Sequence, residues 1–200
     1  MLGPGSTLHF EKSGLIISVE AEVLGEGGFS TVYRATSQNM SSKKYAVKKV
    51  VVQTDEIKRN VLAEIMFLNE FHHPNIIKMI DSVDIRGKGN NRVICLLFPL
   101  ISRGTLRHVL NLRSKDADRS KLDLSQIMRD FKSICSAFNY MHTLTPVSYI
   151  HQDIKPEVSL FIKIVAMNII AFNFSAISCQ QLHSSDTSTT LFNFTEHSYF

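Results

Sequence analysis

A short segment near residue 151 contains several side chains suited to proton and phosphate chemistry. Residues 151–156 read HQDIKP. Asp153 can accept a proton from an attacking hydroxyl group, and Lys155 can neutralise the charge of a phosphoryl group in transfer. The chain then becomes apolar from Val158 onward, with few charges. The segment therefore predicts phosphoryl-transfer chemistry centred on Asp153 and Lys155.

A glycine-rich segment could hold the phosphates that such chemistry needs. Residues 25–32 read GEGGFSTV. Glycines allow backbone amides to approach a polyphosphate closely, because no Cβ intervenes. A plain hairpin turn would have the same composition, and the G-x-x-x-x-G-K-[ST] pattern of a P-loop is missing. Both interpretations, phosphate-binding loop and structural turn, remain open at this point.

Lys48 and Glu64 form the next candidate pair. Lys48 follows Tyr-Ala-Val in an apolar strand, where an ammonium group is costly unless it meets an anion. Glu64 lies between Val61 and Ile65, close to the apolar stripe of a predicted helix. Separately, each could simply reach solvent. Together they predict an ion pair that directs Lys48 toward a phosphate.

The surrounding sequence predicts the elements that position these residues. Segments 14–28, 30–37, 43–52 and 91–101 are typical of strands, and segments 55–71 and 123–141 of helices, the second with Asp123 and Gln126 as a capping pair. The apolar stripes of the two helices comprise Ile57, Val61, Ile65 and Leu68, and then Ile127, Phe131, Ile134, Phe138 and Met141. Strands first and helices later favour an α+β fold over a doubly wound parallel sheet.

The composition is that of an ordinary globular domain. Of 200 residues, 44% are apolar and 20% charged, and the net charge is +4. Basic residues alternate with acidic ones, so we expect no nucleic-acid partner. The cysteines Cys95, Cys135 and Cys179 are widely spaced, and the N-terminus resembles no secretory signal, so we expect a cytoplasmic location. His72 and His73 are adjacent and are interpreted as structural or solvent-facing rather than as metal ligands.

The C-terminal segment differs in composition from the rest of the chain. Residues 157–200 carry only 4 of the 40 charged side chains but 6 of the 13 phenylalanines. A membrane segment at 158–177 is one interpretation, although Lys163, Asn168 and Asn173 interrupt it. The simplest interpretation is foreign coding sequence from about Val158, through a truncated or intron-containing transcript or a gene-model error.

The order and spacing of these motifs strongly resemble the protein kinase family over residues 15–157. A glycine-rich loop, Ala-Val-Lys, a helical glutamate, HPNII at 73–77 and HQDIKP follow one another. The segments GEGGFSTVY at 25–33 and LLFPLISRGTL at 96–106 look most similar to the numb-associated kinase family, and to its sixteen-type serine/threonine kinase branch in particular. The resemblance implies an N-terminal segment at 1–14, a small lobe of antiparallel sheet and one helix to about residue 101, and the first helices of a large lobe at 102–157.

The resemblance also implies ATP as the cofactor and a role for each matched residue. The phosphates would be held by Gly25, Gly27, Ser30 and Lys48, with Glu64 as the partner of Lys48. The adenine pocket would comprise Val32, Ala46, Phe98 at the gatekeeper position, and a hinge from Pro99 that includes Leu100 and Ile101. Asp153 would be the catalytic base and Lys155 the γ-phosphate contact.

Several positions depart from the family pattern. Gln152 replaces the arginine that would anchor a phosphorylated activation loop. The other departures concern the divalent metal: Val158 replaces the asparagine that binds the second Mg²⁺, and no Asp-Phe-Gly follows. We therefore expect a serine/threonine kinase relative whose Mg²⁺ ligands are absent and whose phosphoryl transfer is impaired. The alternatives are a non-catalytic pseudokinase module that binds a nucleotide or a partner, and a non-functional product. We also expect marginal stability and binding to chaperones, while the sequence does not identify a protein substrate.

Overall fold

The computed structural model describes residues 3–40, 43–87, 92–102, 105–107, 111 and 124–145, together with the backbone of four short strands beyond residue 146. The predicted residues Asp123, Asp153 and Lys155 lie outside the described part of the chain.

Six antiparallel strands form the main sheet. They are β1 (Thr7–Phe10), β2 (Leu15–Glu26), β3 (Ser30–Ser37), β4 (Lys44–Val52), β5 (Asp81–Arg86) and β6 (Arg92–Pro99). Their spatial order is β1-β2-β3-β4-β6-β5. The sheet confirms the predicted α+β class and the four predicted strands, which correspond to β2, β3, β4 and β6. The strands β1 and β5 were not predicted from the sequence.

The central strand β4 shows how the sheet separates two apolar clusters. Successive side chains of a strand point to opposite faces. Tyr45 and Val47 are buried on one face, in a cluster that also contains residues of β1, β2 and β6. Ala46 and Val50 belong to the cluster on the opposite face, where the first helix lies. Lys48 has the same parity as Ala46 and Val50, so its side chain enters the helix-covered face.

The helix α1 (Asp55–Glu70) covers that face. Its first turn is stabilised by Thr54, whose hydroxyl accepts a hydrogen bond from the Ile57 amide at 3.2 Å. The predicted stripe is confirmed, since Val61 and Leu68 are buried and Ile57 and Ile65 are partly buried against the same cluster. The helix ends before Phe71, which has extended backbone, and Pro74 follows in the connection to β5.

The helix α2 (Leu124–Thr143) packs through only half of its predicted stripe. Ala137 and Met141 are buried against Phe67, Phe71 and Ile76, at the C-terminal end of α1. Toward the N-terminus of α2, the apolar face is open: Ile127 is 40% exposed and both Met128 and Phe131 are 58% exposed. The predicted capping pair stays a prediction, because Asp123 lies outside the described residues; the side-chain amide of Gln126 donates to Asp130 at 2.7 Å.

The N-terminal strand β1 closes the edge of the sheet. Its residues Leu8 and Phe10 are buried in the cluster on the face away from α1. The backbone N–H of Ser13 donates to the Asp81 carboxylate at 2.7 Å, which links the β1–β2 turn to the start of β5. An edge strand that is paired and anchored in this way leaves less unpaired backbone exposed.

Four short strands lie beyond residue 146. They are β7 (Val147–His151), β8 (Ser159–Phe161), β9 (Met167–Ile169) and β10 (Phe174–Ser178). β7 pairs with β10, and β8 pairs with β9, both antiparallel. Within the run 158–177, the described elements are thus strands. In the part of the chain that the structure describes, no helix combines the length and the apolar character needed to cross a membrane.

Replacing Phe10 by alanine tests whether β1 is an integral part of the core. The side chain is 1% exposed, so Phe10→Ala is expected to lower the free energy of unfolding by about 3–5 kcal/mol. Urea denaturation followed by circular dichroism measures this change. The matched control is Glu11→Ala at the exposed neighbouring position. Equal stability of the two variants would show that β1 does not contribute to the core.

Candidate functional site

A buried ion pair between β4 and α1 lies at the centre of the site. The Lys48 ammonium donates to both carboxylate oxygens of Glu64, each at 2.7 Å. The side chains are only 5% and 8% exposed. Strand alternation brings Lys48 to this face, and the helical stripe of α1 brings Glu64 to meet it. The predicted ion pair is therefore confirmed, while its role in nucleotide binding stays a prediction.

Burial makes this pair electrostatically costly. Removal from water lowers the pKa of the Lys48 ammonium and raises the pKa of the Glu64 carboxyl, and mutual attraction offsets part of each shift. Desolvation is the larger effect for both groups. A buried ion pair of this kind contributes little net stability, although removing one partner leaves an uncompensated buried charge. The Lys48–Glu64 pair is therefore better explained by a functional role than by a contribution to the stability of the fold.

The glycine-rich turn joins β2 to β3 beside this pair. The turn is closed by a hydrogen bond from the Gly27 amide to the Ser30 carbonyl at 2.8 Å. Gly25 and Gly28 have no atom within 4 Å of the position a Cβ would occupy, whereas a Cβ at Gly27 would lie 3.2 Å from the Ser30 hydroxyl. Open space above two glycines is what a phosphate needs to approach the backbone.

Strand register places Gly25 and Val32 in line with Lys48. Gly25 pairs with Val32 between β2 and β3, and Val32 pairs with Lys48 between β3 and β4. Directly opposed residues of antiparallel strands point to the same face. Gly25, Val32 and Lys48 thus form one row across β2, β3 and β4, and the Lys48 side chain of this row meets Glu64.

Two of the predicted adenine-contact residues, Ala46 and Phe98, form the adjacent row. Ala46 pairs with Phe98 between β4 and β6, two residues along from Lys48. Phe98 is buried and Ala46 is partly buried in the cluster beneath α1. After β6, the Leu100 amide donates to the Lys44 carbonyl at 3.2 Å, and Ile101 packs against the same cluster. Val32, Lys48, Ala46 and Phe98 thus lie on the helix-covered face of the sheet, and the roles of the predicted cofactor residues in nucleotide binding stay predictions.

The positions of the two predicted catalytic residues are not described by the structure. Asp153 and Lys155 lie outside the described residues, and so do Gln152 and Val158. The backbone of β7 ends at His151, just before them. Their roles as base and γ-phosphate contact stay predictions.

A second polar cluster joins α1 to α2, and sequence reasoning missed it. The His72 amide donates to the Tyr140 hydroxyl at 2.9 Å. The His73 ring lies 3.1 Å from the Ser136 hydroxyl and stacks on Tyr140 with ring centroids 5.1 Å apart. The interpretation of His73 as structural is consistent with these contacts. Nothing in the HHPNII segment indicates its partners, which lie more than sixty residues later.

The described residues fit a nucleotide better than a metal ion. A lysine paired with a buried carboxylate, next to glycines facing open space, matches the donor set that a polyphosphate requires. Among the described residues, no group of three or more His, Cys, Asp or Glu side chains could hold a metal ion. The fit therefore concerns a polyphosphate group, and no step involving a metal ion can be derived from these residues.

The family model and the similar proteins found by comparison all belong to one family. The protein kinase domain family matches residues 18–195, from within β2 to beyond β10. A probable serine/threonine-protein kinase of Dictyostelium discoideum is 33% identical over 138 residues, covering 67% of this chain and 37% of the relative. Interleukin-1 receptor-associated kinase 1 of Mus musculus is 33% identical over 137 residues, covering 66% of this chain and 18% of the relative.

A plant relative extends the same pattern. Chitin elicitor receptor kinase 1 of Physcomitrium patens is 31% identical over 135 residues, covering 68% of this chain and 19% of the relative. The chain thus spans well under half the length of each of these three proteins. The ion pair, the glycine turn and the long family match lead to one conclusion: the chain belongs to the protein kinase family.

Proposed function

We propose that this chain binds ATP in the site between β4, α1 and the glycine turn, as a serine/threonine kinase relative that transfers phosphate poorly or not at all. The observation that carries the proposal is the buried Lys48–Glu64 pair. Such a pair fixes the lysine against an anion-binding turn, so that an ammonium group is already oriented when the nucleotide arrives. ATP used with Mg²⁺ is what membership of the kinase family implies.

Phosphate transfer requires more than nucleotide binding. In kinases the developing charge is neutralised mainly by metal ions and positioned cations. After Asp153 this sequence offers neither Asp-Phe-Gly nor, at Val158, the asparagine that binds the second metal ion. Asp153 could still accept a proton, but the γ-phosphate would keep its charge. This supports a nucleotide-binding, weakly catalytic chain, with a non-catalytic binding module as the alternative.

The finer assignments belong to the same proposal. The serine at position 30 and the LLFPLISRGTL segment support the numb-associated kinase family and its sixteen-type branch. The wide spacing of Cys95, Cys135 and Cys179 supports a reducing, cytoplasmic location. The boundaries proposed at residues 14, 101 and 157 rest on the motif pattern alone.

Nucleotide binding can be tested by thermal unfolding of the whole chain. ATP at about 100 times its Kd should raise the Tm by about 5–10 °C. Lys48→Met should lose this shift, because the phosphates lose their ammonium partner. The matched control is Lys44→Met, an exposed lysine of the same strand, which should keep it. Equal shifts for both variants would contradict the proposed site.

Catalysis can be tested separately with radiolabelled ATP, Mg²⁺ and serine- and threonine-containing acceptor peptides. The expected result is transfer no faster than that of Asp153→Asn, because the metal ions lack protein ligands. Transfer that depends on Mg²⁺ and disappears in Asp153→Asn would show that the chain is an active kinase, and would overturn the inactive part of the proposal.

The stability of single and double variants tests whether the ion pair serves binding rather than folding. Lys48→Met should lower the free energy of unfolding by about 3–5 kcal/mol, because Glu64 remains buried without its partner. The double variant Lys48→Met/Glu64→Leu should recover most of that loss but bind no ATP. Urea denaturation measures both. A Lys48→Met variant as stable as the unmodified chain would mean that the pair is hydrated in solution.

The open face of α2 supports the expected binding to chaperones. Apolar side chains exposed together favour association, and Phe131 is the bulkiest of this group. Phe131→Ser should slow aggregation at 37 °C, measured by light scattering, and reduce the protection that an added chaperone gives. Lys132→Ser at the exposed neighbouring position is the control. Equal aggregation of Phe131→Ser and the unmodified chain would contradict this expectation.

A further inference from the structure

The turn that follows α1 is fastened to α2 by a set of contacts centred on one histidine. The His73 Nδ1 atom accepts a hydrogen bond from the Asn75 backbone amide at 3.1 Å. An imidazole nitrogen that accepts carries no proton, so in the neutral ring the proton is on Nε2. His73 Nε2–H therefore donates to the Ser136 hydroxyl of α2, at 3.1 Å. The two ring nitrogens thus form hydrogen bonds with two different segments, the α1–β5 turn and α2.

Two aromatic contacts reinforce this fastening. The Tyr140 ring stacks on His73 and meets Phe71 edge to face, with centroids 6.2 Å apart. Its hydroxyl accepts the His72 amide. Beneath these groups, Phe67 and Phe71 are buried against Ala137 and Met141. The C-terminal end of α1 is thus held to α2 by both polar and apolar contacts.

The same end of α1 is close to the ion pair. Glu64 lies six residues before Glu70, the last residue of the helix, and thus about 9 Å along its axis. A helix moves as a rigid body over such a short length, so a tilt at its end displaces the Glu64 carboxylate from Lys48. Correct placement of Glu64 therefore depends on how α1 is held at the His73 turn.

We propose that His73 is a positioning residue for the nucleotide site: by linking the α1–β5 turn to Ser136, it holds Glu64 against Lys48 and so raises nucleotide affinity. The proposal rests on the proposed binding of ATP and adds a residue outside the binding site. His73 touches neither Lys48 nor the glycine turn, and acts only through α1.

Because the His73 ring accepts a hydrogen bond at Nδ1 and donates one at Nε2, we expect its role in nucleotide affinity to depend on pH. Protonation places a hydrogen on Nδ1, directed at the Asn75 amide, so that bond is lost. Burial lowers the pKa of His73 from 6.5, with no charged group contributing. Among the described residues, Tyr140 of α2 stacks on the ring, and the titratable residues close to His73 in sequence are His72, whose ring bonds to the Glu70 backbone carbonyl, and Glu70 itself.

The lowered pKa of His73 determines whether stability rises or falls with pH. Between the folded pKa of His73 and 6.5, the unfolded chain binds more protons than the folded chain. The stabilisation provided by neutral His73 is therefore complete above 6.5 and is lost as the pH falls through the folded pKa. Nucleotide affinity should fall in the same window.

The test is a comparison of ATP dissociation constants by isothermal titration calorimetry on the whole chain, well below the Tm of every variant. His73→Asn keeps an acceptor for the Asn75 amide but cannot reach Ser136, and Ser136→Ala removes the partner in α2. Each should weaken ATP binding about fivefold at pH 7.5. The double variant should be no weaker than His73→Asn, since both remove one interaction.

Two further variants separate positioning from general loss of structure. Ser133→Ala, one turn away on α2, removes a hydroxyl that bonds within the helix at the Arg129 carbonyl, and should leave affinity unchanged. In a Glu64→Gln background, Ser136→Ala should have no further effect on affinity, because the path through Glu64 is already lost. A merely structural role would lower the Tm in that background and in the unmodified one alike, without changing either Kd.

The pH dependence gives an independent readout. His73→Gln can still bond to Ser136 but does not titrate near neutral pH. ATP itself titrates, so the relevant quantity is the ratio of the two dissociation constants at each pH. Relative to His73→Gln, the unmodified chain should lose affinity as the pH falls from 7.5 through the folded pKa of His73, which lies below 6.5. A constant ratio would contradict the predicted titration of His73.

The outcomes distinguish this inference from the proposed function. If the unmodified chain does not bind ATP at any pH, both fail. If it binds ATP and Ser136→Ala and His73→Asn bind equally well, only the positioning role of His73 is overturned. Weaker binding by both variants, absent in the Glu64→Gln background, establishes it.

Discussion

The placement of one lysine in an apolar environment shapes the rest of this structure. Lys48 enters the helix-covered face of the sheet because β4 alternates, and burial there requires a carboxylate within bonding distance. In the part of the chain that the structure describes, Glu64 of α1 supplies this carboxylate. The helix must therefore lie across β4 and β6 at one rotation and one height, and the apolar residues around the pair, from Val61 to Phe98, serve to keep it there.

That requirement explains why both ends of α1 are fixed by different means. At the start, the Thr54 hydroxyl caps the first turn. At the end, the turn through His73 joins α2 by hydrogen bonds and ring contacts. The sheet is fixed at its own edge by the Asp81–Ser13 bond. A helix free at either end would allow Glu64 to move away from Lys48. Loss of this carboxylate would lower the pKa of the buried ammonium further, because the attraction of Glu64 opposes the effect of burial.

Sequence reasoning was sufficient wherever the signal was local. The alternation of β4 and the stripe of α1 together predicted the Lys48–Glu64 pair, because each pattern assigns its residue to a face. The strand β1 was missed since its four residues are too few to show a period, and its anchor at Asp81 lies 68 residues from Ser13. The exposed apolar side chains of α2 are consistent with the expected tendency to bind chaperones, although a periodic stripe does not say which part of it stays uncovered. The contacts of His73 with α2 were not predicted either, because they join residues that are distant in sequence and meet only in the folded chain.

The central claim is that Lys48 is directed at a phosphate. An acyl phosphate derivative of ATP transfers its acyl group to a lysine that touches the phosphates, and peptide mass spectrometry locates the product. The account predicts acylation of Lys48, suppressed by excess ATP, although its side chain is almost entirely buried. Acylation confined to exposed lysines such as Lys43 and Lys44, with ATP having no effect, would contradict it.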